Sequence, residues 1–254
     1  MSGGAAPLLS VRGLSKRFGS VVAADRVDLD LHDGRVHALI GPNGAGKTSL
    51  IAQLAGDIAP DAGQIVFAGR DITRLGVHQR VRRGLARSFQ ITRLFCGFTV
   101  LDNVALAVQA RSGSSFSFWR PVAAERPLFD EARALLDELS LSHRAGVPAG
   151  ELSHGEQRAL EIGLALATAP RALLLDEPMA GTGAEDGARI VALIERLARR
   201  VAVLLVEHNM QAVFRLAHTV SVLVNGRLVA SGTPDEVRRH PAVIDAYLGD
   251  EAAR

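Results

Sequence analysis

Residues 41–48 read Gly41-Pro42-Asn43-Gly44-Ala45-Gly46-Lys47-Thr48, and few sequence features restrict a fold as tightly. A short apolar run, Val36-His37-Ala38-Leu39-Ile40, precedes them and reads as a strand. Ser49-Leu50-Ile51-Ala52-Gln53-Leu54 follows with the apolar spacing of a helix. Strand, glycine-rich loop and helix in that order are the context that makes this spacing a phosphate-binding loop. The glycines let successive backbone N–H groups turn inward on an anion, and the helix N-terminus adds partial positive charge. Lys47 has the reach for the β- and γ-phosphates, and the Thr48 hydroxyl for Mg²⁺. Lys16 and Lys47 are the only two lysines among 29 basic residues, so a compact ammonium is wanted at position 47. The sequence predicts a nucleotide-binding protein.

The 254 residues suffice for one large α/β domain or two modest ones. Aromatic residues are only 4%, so aliphatic side chains must build the core. The single Cys96 excludes an intrachain disulfide and fits a reducing compartment. The opening MSGGAAP does not read as a signal peptide. No apolar run approaches the ~20 residues of a spanning helix, so membrane association is expected to be peripheral or through a partner. A basic stretch holds Arg80, Arg82, Arg83, Arg87 and Arg93, with only Phe89 and Phe95 nearby to stack on bases. That poverty of aromatics argues against nucleic acid and for a solvated face or a protein contact.

Along the chain, residues 8–11 and 27–31 read as strands, Asp33-Gly34 as a turn and residues 64–67 as a further strand. From about residue 100 to 163 the pattern is helical, with apolar positions 128, 132, 135, 136 and 139 on one helix. The apolar runs 172–175 and 201–206, alternating with helices, predict a buried parallel sheet. Asn225-Gly226 joins runs 220–224 and 227–230 as a hairpin, and short helices are expected over 234–239 and 242–248. Residues 112–121 form a Gly/Ser-rich loop carrying Phe116, Phe118 and Trp119. Two readings stand for it: the rings pack back on their own helical region, or they rest on a partner or a membrane surface.

Ala172-Leu173-Leu174-Leu175-Asp176-Glu177 is an aliphatic strand ending in two carboxylates. A parallel sheet places its ligand loops at the carboxyl ends of strands, so both acids are expected beside the phosphate loop. Asp176 is suited to hold Mg²⁺ through its water shell, and Glu177 to polarise an attacking water. Leu152-Ser153-His154-Gly155-Glu156-Gln157-Arg158 opens a helix predicted over 159–167, with Ser153 as N-cap and Glu156 completing a capping box. The same terminus offers Ser153 and free N–H groups to a phosphate, which would then belong to a second subunit.

These motifs together resemble the ATP-binding subunit of ABC transporters over essentially the whole chain. Leu152–Gln157 is similar to the family's LSGGQ signature, and the other landmarks follow in order. The resemblance implies an α/β fold: an ABC-type P-loop NTPase with a RecA-like core, an antiparallel β subdomain and a helical subdomain. It divides the single 1–254 domain into a β subdomain (1–35 with 64–90), a nucleotide-binding core (36–63 with 164–254) and a helical subdomain (91–163). Phe18 matches the aromatic that stacks on adenine, Gln90 the glutamine that meets Mg²⁺ and senses the permease, and His208 the switch histidine at the γ-phosphate. By resemblance ATP and Mg²⁺ are the cofactors. Each ATP would lie between the loop of residues 41–48 and Asp176 of one subunit and Ser153 and Gly155 of the other. One position departs from the pattern: Gly183 stands where the family carries Asn or Asp for a cross-subunit contact, and the neighbouring Thr182 hydroxyl is the alternative donor.

Phe89-Gln90-Ile91-Thr92-Arg93-Leu94-Phe95, residues 99–104, Val206-Glu207-His208-Asn209-Met210 and the ending 243–249 are similar to the subfamily that energises uptake of branched-chain and other hydrophobic amino acids. Related subunits serve urea, amides or aromatic acids, and exporters are a further alternative. A single phosphate loop without a coiled-coil insertion argues against a chromosomal or ribosomal ABC ATPase. The implied partners are a second ABC ATPase, identical or different, transmembrane permease subunits and, indirectly, a periplasmic or extracellular solute-binding protein. The implied place is the cytoplasmic face of the membrane.

Overall fold

The computed structural model describes residues 6–88, 94–112 and 126–243. The chain opens with the antiparallel pair β1 (Leu9–Phe18) and β2 (Val21–Leu31), followed by β3 (Val36–Ile40) and helix α1 (Lys47–Ala55). Then come β4 (Ala62–Phe67), β5 (Arg70–Asp71), α2 (Val77–Val81) and β6 (Leu85–Arg87). Three helices follow: α3 (Val100–Ser112), α4 (Arg126–Glu138) and α5 (His154–Leu166). The remainder alternates as β7 (Ala172–Asp176), α6 (Ala184–Leu197), β8 (Ala202–Val206), α7 (Met210–Leu216), β9 (Thr219–Val224), β10 (Arg227–Gly232) and α8 (Pro234–Arg238).

Two sheets result. One has four strands in the order β2-β1-β4-β5, and the other has six in the order β10-β9-β3-β8-β7-β6. Within the second, β6, β7, β8, β3 and β9 run parallel, and β10 returns antiparallel through the expected hairpin. Asn225 and Gly226 turn that hairpin at φ 47° and 77°, the double left-handed pair that an Asn-Gly turn supplies. The continuous apolar runs of β7 and β8 have a simple reason, because both faces of the sheet are covered. Leu173, Leu175, Val203 and Leu205 point into one core with α3 to α7, and Leu174, Leu204 and Val206 into the other with α1 and the four-stranded sheet. Each fully buried leucine stabilises by about 1.5–3 kcal/mol.

Leu85–Arg87 lies inside the 64–90 stretch grouped by sequence with the antiparallel unit, yet it pairs in parallel with β7. Leu85 belongs to one core and Ala86 to the other, so these residues require a sheet buried on both sides. Gly84 O anchors the pairing by accepting from the Arg171 and Ala172 N–H groups at 2.8 and 3.0 Å.

The basic stretch also needs correction as a solvated face. Arg80 is only 1% exposed and spends its guanidinium on main-chain carbonyls. Nη1 donates to Gln53 O and Leu54 O at 2.7 Å, Nε to Leu75 O at 2.8 Å and Nη2 to Thr73 O at 3.0 Å. It thereby caps the C-terminus of α1, where the orphan carbonyls and the helix dipole favour a cation. Burial pulls the Arg80 guanidinium down to about 10, still charged at neutral pH. Arg82 and Arg83 are exposed as expected, and Arg93 lies outside the described residues. So do the aromatic loop at 112–121 beyond residue 112 and the last predicted helix beyond Val243.

Candidate functional site

The glycine-rich loop is wedged between the two sheets. At Gly41, φ is 154° and a Cβ would stand 2.0 Å from Leu223 O on β9. At Gly46, φ is 105° and a Cβ would stand 2.1 Å from Ala23 O on β2. Neither position admits a side chain, which fixes the loop against both neighbours. The β9–β10 turn completes the cradle: Gly226 N–H donates to Ala45 O at 2.9 Å and Asp25 N–H to Gly226 O at 2.8 Å. Helix α1 starts from Gly46 with no side-chain cap, leaving its first N–H groups facing the loop.

Lys47 is 6% exposed, and its ammonium donates to Gly41 O at 2.7 Å and Pro42 O at 2.9 Å. Burial lowers its pKa, while the charges of Glu177 and Asp176 oppose that shift. Asp176 ends β7 with a buried carboxylate whose Oδ2 accepts from Arg87 Nη2 at 2.9 Å. Its Oδ1 is buried without a hydrogen-bond partner among the described residues. Burial pushes the Asp176 carboxyl up, and the Arg87 guanidinium works against that. An orphaned carboxylate oxygen beside a lysine-closed loop suits a hydrated hard cation, so these residues fit Mg²⁺ and a polyphosphate.

Glu177 sits at φ 49° and accepts from His208 Nε2 at 2.9 Å. The positive φ follows from its place: its N–H still pairs with Val206 O at 2.9 Å, and the chain must then leave the sheet. Glu207, which sequence reading passed over as a mere neighbour of His208, is 4% exposed and holds this corner together. Its Oε1 accepts from Met179 N–H at 2.9 Å, and its Oε2 from the His208 and Asn209 N–H groups at 3.0 and 3.3 Å. The only sequence signal was an acid directly after a fully apolar strand.

A cleft of about 250 Å³ gathers Phe18, the loop residues Asn43 to Thr48, Glu177 and His208. Phe18 stands at its rim, 46% exposed, with Lys16 Nζ 5.4 Å from the ring centroid. Neither Ser153 nor Gly155 lines it. Ser153 and Glu156 form the expected capping box, at 3.2 Å from Glu156 N–H to Ser153 Oγ and 2.8 Å from Ser153 N–H to Glu156 Oε2. Gly155 is pressed against α6, where a Cβ would lie 2.2 Å from Asp186 Cγ. The Thr182 hydroxyl donates to Met179 O at 2.8 Å within its own turn, and Gly183 caps α6 without a side-chain bond. Gln90 lies outside the described residues.

The ABC transporter family profile matches residues 24–180, the span that runs from the loop wall through the paired acids. The chain belongs to the ABC transporter family. A second profile, the branched-chain amino acid ATP-binding cassette transporter, matches residues 227–253. Among curated relatives, the high-affinity branched-chain amino acid transport ATP-binding protein BraF of Pseudomonas aeruginosa is 38% identical, covering 96% of this chain and 98% of its own. Its counterpart LivG of Escherichia coli is 37% identical with the same coverage. The crystal structure of a nucleotide-free ATP-binding cassette from an ABC transporter superposes with a TM-score of 0.83 at 29% identity, covering 95% of this chain and 98% of that one. An ADP conformation of an ABC transporter cassette gives 0.85 at 29% identity, with 96% and 100% covered. The protein is thus an ABC ATPase, an ATP-hydrolysing subunit with the α/β P-loop fold expected from its sequence. Among its described residues no helix is long and apolar enough to cross a membrane.

Proposed function

We propose that this ABC ATPase energises the import of branched-chain or other hydrophobic amino acids through transmembrane permease subunits. One observation carries the ATPase chemistry: the loop lysine, the Glu177–His208 pair and Phe18 line one cleft. The cargo assignment rests on the C-terminal profile and on the named transport role of the relatives.

In this reading the loop of residues 41–48 cradles the phosphates, with Lys47 exchanging the Gly41 and Pro42 carbonyls for phosphate oxygens. Thr48, Asp176 and Gln90 are the residues to hold Mg²⁺. The bound ion would supply neutralisation of the charge shared by the β- and γ-phosphates. Glu177 orients and polarises the attacking water, His208 reaches the γ-phosphate while bonded to Glu177, and Phe18 stacks on adenine. Ser153 and Gly155, away from their own cleft, complete the site of a second ABC ATPase, identical or different. Its binding closes both sites, and hydrolysis reopens them. The four-stranded sheet, the six-stranded sheet with β6, and the α3–α5 helices are the three working parts.

A permease contact suits the groove between α3 and α4, lined by Phe98, Leu106 and Phe129, beside Phe95 at 59% exposed. Exposed rings clustered in a groove are the mark of an interaction surface. The chain then sits at the cytoplasmic face of the membrane, a solute-binding protein acts with the permease from the other side, and nucleic acid has no part.

Purification of the tagged chain from native membranes tests this. The expected co-purifying set is two multi-span permeases and a second ATPase, with leucine uptake lost on deletion of the gene. An exporter-type membrane partner, or unchanged uptake of hydrophobic amino acids, overturns the cargo assignment.

A further inference from the structure

Arg87 has no role in the chemistry above, yet its side chain joins two parts of the site. It ends β6, and its backbone neighbour Ser88 is pinned by an N–H donated to Leu174 O at 2.9 Å. Nη1 meets Asp57 Oδ2 at 2.8 Å and Nη2 meets Asp176 Oδ2 at 2.9 Å. Asp57 follows the C-cap of α1 and donates its own N–H back to Ala52 O at 2.9 Å. One guanidinium therefore spans from the far end of the phosphate-loop helix to the end of β7.

The two ends of this bridge are unequal. The Asp57 side chain is 44% exposed and adds little as an ion pair, whereas that of Asp176 has no exposure at all. A buried carboxylate needs a partner, and Arg87 supplies it on one oxygen only. The second oxygen, Oδ1, is left buried and unbonded among the described residues. A planar fork with fixed donor directions suits such a bridge, since one arm holds Asp176 by one oxygen and the other anchors the fork on Asp57.

We propose that Arg87 is a positioning residue for metal binding, holding Asp176 by Oδ2 so that Oδ1 is presented to the hydrated Mg²⁺ of the bound nucleotide. The proposal rests on the reading of Asp176 as the magnesium carboxylate. The bridge to Asp57 makes that orientation depend on α1, the helix that carries Lys47 at its start. The metal carboxylate and the phosphate loop are thereby set relative to each other before nucleotide arrives. Outer partners that orient a metal-binding carboxylate typically govern metal affinity by 10–100-fold.

The test separates metal affinity from nucleotide affinity in the full chain. Mn²⁺, whose free-ion EPR signal falls on binding, is titrated into chain loaded with ATP, the chain being in excess. ATP affinity in EDTA is measured by calorimetry, and melting curves check the fold. Arg87→Met, which keeps the apolar stem, is expected to weaken Mn²⁺ binding by about 10–100-fold while leaving ATP affinity in EDTA unchanged. Arg87→Lys recovers part of that loss through its single charged nitrogen, which reaches Asp176 without the fork. Should the Met variant fail to fold, Arg87→Gln replaces it. Unchanged Mn²⁺ affinity, an equal loss of metal-free ATP binding, or a Lys variant no better than Met overturns the proposal. Asp176→Asn run in parallel distinguishes the failures: if it too keeps full Mn²⁺ affinity, the reading of Asp176 falls, and if it alone loses affinity, only the role of Arg87 falls.

Discussion

Glu177 occupies a backbone conformation that costs a non-glycine residue about 1–3 kcal/mol, which persists because the corner around it is over-determined. Its N–H is tied to Val206 O, its carboxylate to His208, and the next turn to Glu207 through Met179 N–H. The side chain is consequently aimed rather than free, as a group that orients one water must be. Glu177→Gln keeps the shape and an acceptor for His208 but loses the charge that polarises water. Hydrolysis is expected to fall by roughly 10²–10⁴-fold while ATP binding survives and a closed dimer accumulates. Phosphate release together with gel filtration in ATP reads both properties, and near-wild-type turnover would remove Glu177 from catalysis.

At the scale of elements, α1 has only nine residues, fewer than an isolated helix needs to persist in water. Packing of Leu50, Ile51 and Leu54 and the cap from Arg80 hold it, so the loop at its start is only as firm as its end. Arg80→Met retains most of the buried stem but orphans carbonyls on α1 and before α2. The expected loss is roughly 3 kcal/mol in urea unfolding, with ATP affinity reduced in parallel. A change below about 0.5 kcal/mol, the range of ordinary surface substitutions, would return Arg80 to the solvated face that the sequence suggested. That suggestion failed for a physical reason. A run of arginines looks alike whether it meets water or carbonyls, and the carbonyls of Gln53 and Leu54 arrive from far along the chain.

Across the whole molecule, Ser153 and Gly155 stand outside the lining of their own chain's cleft. Ser153 makes the bonds of its capping box and the first helical bond of α5, and Gly155 packs against Asp186. Assembly with a second ATPase is therefore expected to be obligatory for turnover. Ser153→Arg should abolish ATPase activity of the reconstituted transporter and leave nucleotide affinity of the isolated chain within about two-fold, a change of some 0.4 kcal/mol. Equal loss in the isolated chain would return Ser153 to the local fold.

The phosphate loop, the strand ending in Asp176 and Glu177, the Asn225-Gly226 hairpin and the Ser153 capping box were all legible in the sequence. Each is a local device in which a few neighbouring residues satisfy their own geometry. What the loop rests on was not legible: the carbonyls of Ala23 and Leu223 that forbid a side chain at Gly46 and Gly41 come from other strands. Strand β6 escaped because three residues are too short to show a period, and their pairing is decided by the sheet that receives them. Arg80, Arg87 and Glu207 escaped for the same reason in stronger form. A charged side chain declares itself exposed until tertiary packing brings it partners, and only the folded chain supplied the carbonyls, the two aspartates and the three N–H groups that they bind.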